Sequence, residues 1–258
     1  MPESSRIAGA ILGPMDSTMS APILKAWRAL ARDLDRLSFA KPVGFVYNPL
    51  DYARGPGEDY LHMYASCRKH IFILGMNPGP WGMAQTGVPF GERAVVRDWL
   101  GVRGKVGQPQ KQHPRVTVRG FDCQRSEVSG RRLWGLLAEH YGTAEDFRRD
   151  AFVSNYCPLL FLDGEGKNLT PDKIARSDRE ELSRLCDRFL AVQIQVLRPR
   201  WLVGVGQFAL KRLMELLPTL PEIQASVTSI PHPSPANPSA NRDWAAQARA
   251  RLEGEGIW

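Results

Sequence analysis

Three polar side chains stand where apolar runs of the sequence end. Asn77 follows Ile71-Phe72-Ile73-Leu74, Asn155 closes the run Ala151-Phe-Val-Ser-Asn155, and His232 comes just after Ala225–Ile230. A neutral imidazole can donate a hydrogen bond to an oxygen on which negative charge is building. A carboxamide is no strong base, but its oxygen can orient a water, and the whole group offers both a donor and acceptors to a ligand's edge. Between Leu74 and the next helical stretch lies a loop with glycines at 75, 79, 82, 87 and 91 and prolines at 78, 80 and 89. No helix or strand interior accepts that density, so the segment reads as a rigid, tightly shaped loop. Gln85, Thr86 and Phe90 within it add polar groups and an aromatic ring that look arranged around a ligand.

The elements that must position these residues follow from periodicity. Pro22–Leu37 carries Ile23, Leu24, Trp27, Leu30, Ala31 and Leu34 at helical spacing, which predicts an amphipathic helix. Residues 43–52 read as loop, 60–69 as a short helix and 92–100 as another. Ser129–His140, Pro171–Leu197, Gly206–Leu217 and Asn237–Leu252 predict further helices, the second with Leu182, Leu185, Phe189, Val192 and Val196 on one stripe. Strands are expected at 71–74, 151–155, 201–205 and 225–230. Strands alternating with helices imply a three-layer α/β/α fold around a central four-stranded parallel sheet. With no internal repeat or low-complexity linker, residues 20–258 read as one domain behind a disordered leader at 1–19. In a parallel sheet every carboxyl end lies on one edge, so Asn77, Asn155 and His232 are expected to converge there.

The loop Gly75-Met-Asn-Pro-Gly-Pro-Trp-Gly-Met-Ala-Gln-Thr-Gly-Val-Pro-Phe-Gly91 resembles the first motif of the single-strand-selective monofunctional uracil-DNA glycosylases, family 3 of the uracil glycosylase superfamily, in a bacterial-type member. His232-Pro-Ser-Pro-Ala-Asn-Pro238 is similar to that family's second motif. Ser126-Glu-Val-Ser-Gly130 and Asn155-Tyr-Cys-Pro158 match between them in the expected order, and the likeness covers roughly Phe39 to Leu252.

The resemblance implies a repair enzyme that flips uracil out of DNA and hydrolyses its glycosidic bond, leaving an abasic site uncut. Such a reaction leaves a sugar with oxocarbenium character and a departing base that is negatively charged at its oxygens. In that role His232 donates to a uracil oxygen and Asn77 orients the water, since this family has Asn where other branches place a catalytic Asp. Phe90 stacks on the extruded base, worth about 1–3 kcal/mol. Asn155 faces N3–H and O4 of uracil, where cytosine presents the opposite pattern. Met76 joins them in the base pocket. Gly79 stands where related uracil-only enzymes carry a bulky ring, so it is expected to leave room beside C5 for groups such as 5-hydroxymethyl. Ser234, Pro235, Ala236, Asn237 and Ser239 resemble the family's DNA-inserting wedge, and the helix start beyond it is expected to take a phosphate. Some members place arginine at the position of Ala236, which bears on wedge strength, and Trp81 stands where Phe is more usual. No lysine lies in the matched motifs, so no Schiff-base nucleophile for strand cleavage is expected there. No metal and no organic cofactor are expected. Two alternatives stay open: a non-catalytic module that senses deaminated bases, and a glycosylase of broader specificity taking xanthine or hypoxanthine.

Composition bounds the rest. The 258 residues are 43% hydrophobic, enough for a full core, and the formal net charge of +7 suits a polyanionic partner such as single- or double-stranded DNA. Eight of the Lys and Arg residues fall in the irregular stretch 103–132, against only Asp122 and Glu127, and a phosphate-tracking surface there would release condensed counterions. Cys67, Cys123, Cys157 and Cys186 form no Cys-x-x-Cys pair, which points to reduced thiols and away from zinc or an iron–sulfur cluster. No apolar run reaches membrane-spanning length. An intracellular monomer is expected, in the nucleoid of a bacterium or the nucleus of a eukaryote.

Overall fold

The computed structural model describes residues 18–258, so the expected leader lies outside the described residues except for a turn at Thr18 and Met19. Two layers of helices enclose a parallel sheet. Helix α1 (Ser20–Leu34) buries Ile23, Leu24, Trp27, Leu30, Ala31 and Leu34, the stripe that its spacing predicts. Strand β1 (Phe45–Tyr47) and helices α2 (Pro49–Tyr52) and α3 (Arg54–Tyr64) follow. The loop expected at 43–52 is therefore a strand and a helical turn, with Asn48 capping the turn by accepting the Leu50 N–H at 3.2 Å. The helix expected at 60–69 begins and ends earlier. The carbonyl of Leu197 and that of Asp150 instead take the N–H groups of Lys69 and His70, drawing that segment into the sheet's amino edge.

Strand β2 (Ile71–Gly75) is buried at all five positions, as a strand covered on both faces must be. After it come α4 (Met83–Thr86), a π-helical turn at Val95–Trp99, α5 (Val128–Tyr141) and α6 (Ala144–Asp150). Strands β3 (Ala151–Asn155), β4 (Leu160–Leu162) and β5 (Asn168–Leu169) lead to the long helix α7 (Arg176–Leu197), which packs on α1. Then β6 (Trp201–Val205), α8 (Gln207–Leu216), β7 (Ser226–Ile230) and α9 (Trp244–Gly254) complete the chain.

The main sheet has the order β3-β2-β6-β7 with every pairing parallel. Because β3 lies on one side of β2 and β6 on the other, the strand order reverses at β2. The crevice outside such a reversal, at the carboxyl ends, is where open α/β sheets hold ligands. A second, antiparallel sheet, β1-β4-β5, was not legible in the sequence. Helix α6 was not either. It is anchored by Phe147, fully buried among the rings of Tyr64, Trp99, Trp134 and Tyr141 at centroid distances of 5.3–5.7 Å. Phe147→Ala is expected to lower unfolding free energy by about 3–5 kcal/mol, measured by urea denaturation, since it empties the centre of that cluster.

Among the described residues no helix is long and apolar enough to cross a membrane, and no group of three or more His, Cys, Asp or Glu side chains is placed to hold a metal ion. The four cysteines are free and buried.

Candidate active site

At the carboxyl edge of the sheet lies a cavity of about 410 Å³, lined by Met76, Asn77, Gly79, Met83, Phe90, Glu127, Asn155, Asn168, His232 and Ser234 among others. Asn77 comes from the turn after β2, Asn155 is the last residue of β3, and His232 stands two residues beyond β7. The three side chains thus meet in one cavity, together with Met76, Gly79 and Phe90. Ala236 and Asn237 also reach it, whereas Pro235 is exposed outside it. Ser239 falls in the 3-10 turn Pro238–Asn241, and its side chain lies outside the described residues.

Phe90 is held in a backbone conformation that L-residues avoid, with φ of 53°. Such a strained residue persists only where its surroundings over-determine it. Here the Trp134 indole donates to the Pro89 carbonyl at 3.2 Å, and the Glu92 N–H donates to the Phe90 carbonyl at 2.7 Å. Gly130 of α5 lets that carbonyl approach, since a Cβ there would collide with it. On its other side, the Phe90 ring and the Asn155 amide oxygen both press against Gly75, where a Cβ would strike each of them.

Gln85 and Thr86 do not serve as expected. Both are fully buried and tie the loop down: Gln85 donates to the carbonyls of Pro80 and, in the neighbouring segment, Thr117 at 3.0 and 3.1 Å and accepts the Arg119 N–H at 2.8 Å. The Thr86 hydroxyl donates to the Gly91 carbonyl at 3.0 Å. Their polar groups shape the loop and leave the ligand to other side chains.

Asn155 is 5% exposed, and its amide donates to Met83 Sδ at 3.3 Å. Its oxygen is a buried acceptor with no partner among the described residues, and so is the oxygen of Asn168, whose amide donates to the Pro78 carbonyl at 3.4 Å. Buried acceptors left open are rare in folded proteins, and in a cavity they suit a ligand that brings a donor.

His232 has a fixed tautomer. Its Nδ1 accepts the Ser234 N–H at 3.1 Å, so in the neutral ring the proton sits on Nε2, which is left as a donor. Burial lowers its pKa below the ordinary imidazole value, which keeps it neutral near pH 7. The surrounding loop is braced from three sides. Arg132 donates to the Pro233 carbonyl at 2.8 Å and to Asn241 at 3.1 Å, the Trp244 indole donates to the Pro231 carbonyl at 2.7 Å, and the Asn237 amide donates to the His232 carbonyl at 3.1 Å. Arg132 and Trp244 escaped the sequence reading because neither sits in the loop they hold.

Two expectations are corrected near this loop. The last helix begins at Trp244, after the 3-10 turn, and its N-cap Asp243 already accepts the Ala246 N–H at 3.1 Å. A carboxylate at that helix start leaves no anion site there for a phosphate. Gly79, expected to open empty space, faces the Glu127 carboxyl instead: a Cβ on Gly79 would lie 2.9 Å from Glu127 Oε1 and closer still to Oε2. Glu127 lies in the matched stretch Ser126–Gly130, yet an acidic residue before a helix usually signals only a cap. Asn168 and Thr170 reach the cavity from the small sheet and carried no signal of their own.

Fold and cavity together define an α/β protein with a cavity at the carboxyl edge of a parallel sheet, lined by an aromatic ring, a neutral histidine and open amide oxygens. The chain belongs to the uracil DNA glycosylase superfamily, whose family model matches residues 62–253. It is 45% identical over 251 residues to the rat single-strand selective monofunctional uracil-DNA glycosylase, covering 97% of this chain and 90% of that one. The mouse protein of that name is 46% identical over 253 residues with the same coverage, and the cattle protein 45% identical with 92% of its length covered. The crystal structure of wild-type SMUG2 from Pedobacter heparinus superposes with a TM-score of 0.65 at 15% identity, over 96% of this chain and 100% of that one, a likeness of fold.

Proposed function

We propose that this chain is a monofunctional glycosylase that flips uracil out of DNA and hydrolyses its glycosidic bond, leaving an abasic site and an unbroken strand. The observation that carries it is the pair of open, buried amide oxygens on Asn155 and Asn168. Uracil supplies an N3–H donor to the Asn155 oxygen, whereas cytosine presents a lone pair at N3 to that oxygen. Phe90 stacks on the flipped base, Met76 and Gly79 wall it, Nε2–H of His232 takes the charge that builds on a uracil oxygen, and the Asn77 amide oxygen aligns the attacking water. The exposed tip Pro235-Ala236, with Ser234, Asn237 and Ser239, enters the space left by the base. Arg125, whose guanidinium lies 4.3 Å over the Trp81 ring near the cavity, stands as a strand contact from the basic stretch. The protein works as an intracellular monomer on single- and double-stranded DNA, with 5-hydroxymethyluracil as a second substrate.

The test is single-turnover incubation with uracil oligonucleotides in both strand forms, scoring free uracil, alkali-labile sites and direct strand cuts. Free uracil with scission only after alkali is expected. Binding without base release would make the chain a sensor, and preferential release of xanthine or hypoxanthine would move it to a broader class.

A pH profile follows from His232. Protonation at Nδ1 would remove the acceptor that holds the Ser234 N–H, so the neutral ring is the working form. With its pKa lowered by burial, that form persists into mild acid. The single-turnover rate is therefore expected to hold down to pH near 6.5 and to fall only below it, the ordinary imidazole value being about 6.5. The sign is the same for stability: the unfolded ring takes up protons first, so whatever His232 contributes is lost as pH falls toward its folded pKa. A rate already half lost at pH 7 would contradict this assignment.

A further inference from the structure

Of the side chains lining the cavity, only His232 and Glu127 are titratable. Glu127 precedes Val128, the first residue of α5, and its Oε2 accepts the Trp81 N–H at 3.4 Å. Among the described residues it makes no ion pair, although Lys and Arg are frequent in this stretch. Its carboxyl lies against the Cα of Gly79, and its Cγ lies where a Cβ on Gly82 would come within 2.9 Å. Both glycines are thus needed to seat this one side chain. Burial pushes its pKa up, while the N–H groups of Trp81 and Ser129 pull it down. A half-buried carboxyl in a binding cavity, held by backbone alone, has acceptor capacity to spare.

The direction it faces follows from the shape of a pyrimidine. If N3 meets the open Asn155 oxygen and N1 points out toward the strand, the two flanks of the ring are O2 on one side and C4–C5 on the other. His232, placed to take charge at an oxygen beside N1, occupies the O2 flank. The wall taken for C5 is Gly79 with Glu127, the one other stretch of the lining that carries an ionisable acceptor. We propose that Glu127 is the specificity-determining residue for the 5-position: its carboxylate accepts a hydrogen bond from a 5-substituent bearing O–H, and its desolvation disfavours a bare methyl group. A methyl covers the carboxylate and returns no hydrogen bond, while a hydroxymethyl group replaces the water it displaces. This inference rests on the reading of the cavity as a uracil pocket.

The test uses four oligonucleotides that differ only in the target base: uracil, 5-hydroxymethyluracil, 5-formyluracil and thymine. Each is cut under single-turnover conditions by the wild-type protein, Glu127→Met and Glu127→Gln, with folding checked by circular dichroism. Glu127→Met removes the acceptor at similar length, so the rate ratio of 5-hydroxymethyluracil to uracil is expected to fall on the order of tenfold or more, the worth of a hydrogen bond to a charged group. The thymine-to-uracil ratio should rise. Glu127→Gln presents an N–H as well as an acceptor, so it should raise 5-formyluracil relative to 5-hydroxymethyluracil, and that reversal decides the matter alone if the Met variant does not fold. A purely structural role for Glu127 would slow all four bases alike and leave the ratios at wild-type values, which would overturn the proposal. A wild-type protein that releases uracil but treats 5-hydroxymethyluracil like thymine would overturn it too. No release of uracil by the wild type would instead remove the reading beneath it.

Discussion

His232→Ala is expected to slow single-turnover uracil release by about 10²–10³-fold, with little change in affinity for uracil-containing DNA. That range is the cost of losing one preorganised donor to a developing oxyanion. The structure makes the substitution a clean one. Four hydrogen bonds from Arg132, Trp244 and Asn237 hold the loop through carbonyls and through Asn241, and none of them uses the imidazole. Removing the ring frees only the Ser234 N–H, so the loop keeps its course and the loss falls on chemistry. The neutral state of the ring adds to the expectation. A neutral donor stabilises the departing anion without attracting the neutral base beforehand, so its effect appears in the rate of the chemical step more than in binding. Rates with saturating protein, set beside a binding isotherm on a non-cleavable analogue, separate the two. A variant within threefold of the wild-type rate would take His232 out of the mechanism.

How far the sequence carried can be judged residue by residue. Strands β2, β3 and β6 were legible because strands covered on both faces are short, mostly apolar runs, and α1 because one face of it is buried along its whole length. The small sheet was not. Phe45–Tyr47, Leu160–Leu162 and Asn168–Leu169 are two or three residues long, too short for any period to show, and the first pairs with the second only because the chain returns across more than a hundred positions. Missing that sheet meant missing Asn168 and Thr170, which it carries into the cavity. The convergence of Asn77, Asn155 and His232 needed only the rule that parallel strands share one carboxyl edge. What no spacing reveals is which polar residue of a tight loop faces inward. Gln85 and Thr86 looked as available as Phe90, and the structure spends both on the loop's own carbonyls. Glu127 was hidden for the opposite reason: its position before a helix has an ordinary explanation, and only the missing Cβ atoms of Gly79 and Gly82 show that the backbone was shaped to admit it.

Asn77 should divide two substitutions that look equally conservative. Asn77→Ala is expected to lower single-turnover uracil release by about 10²-fold or more, the lower part of the range for a positioned group that handles the attacking water. The Asn77 amide donates only weakly to the Pro78 carbonyl, at 3.4 Å, and Asn77 lines the cavity, so its side chain is able to hold a water there. Alanine at this place keeps the turn after β2, because the neighbouring backbone is held separately by Tyr156 N–H on the Gly75 carbonyl and Cys157 N–H on the Met76 carbonyl, both at 2.9 Å. Asn77→Asp sets two effects against each other. A carboxylate is the stronger base for the water, yet it faces a departing uracil anion. A like charge about 5 Å away costs on the order of 3 kcal/mol at an effective dielectric of about 20, a penalty comparable to the gain from general-base assistance. The Asp variant is therefore expected within about tenfold of wild type, and its rate should acquire a new rise with pH as the introduced carboxyl ionises. A full-rate Ala variant would remove water positioning by this side chain. An Asp variant as slow as Ala would mean that charge repulsion governs the site, and that the family's amide is there to keep a second anion away from the leaving base.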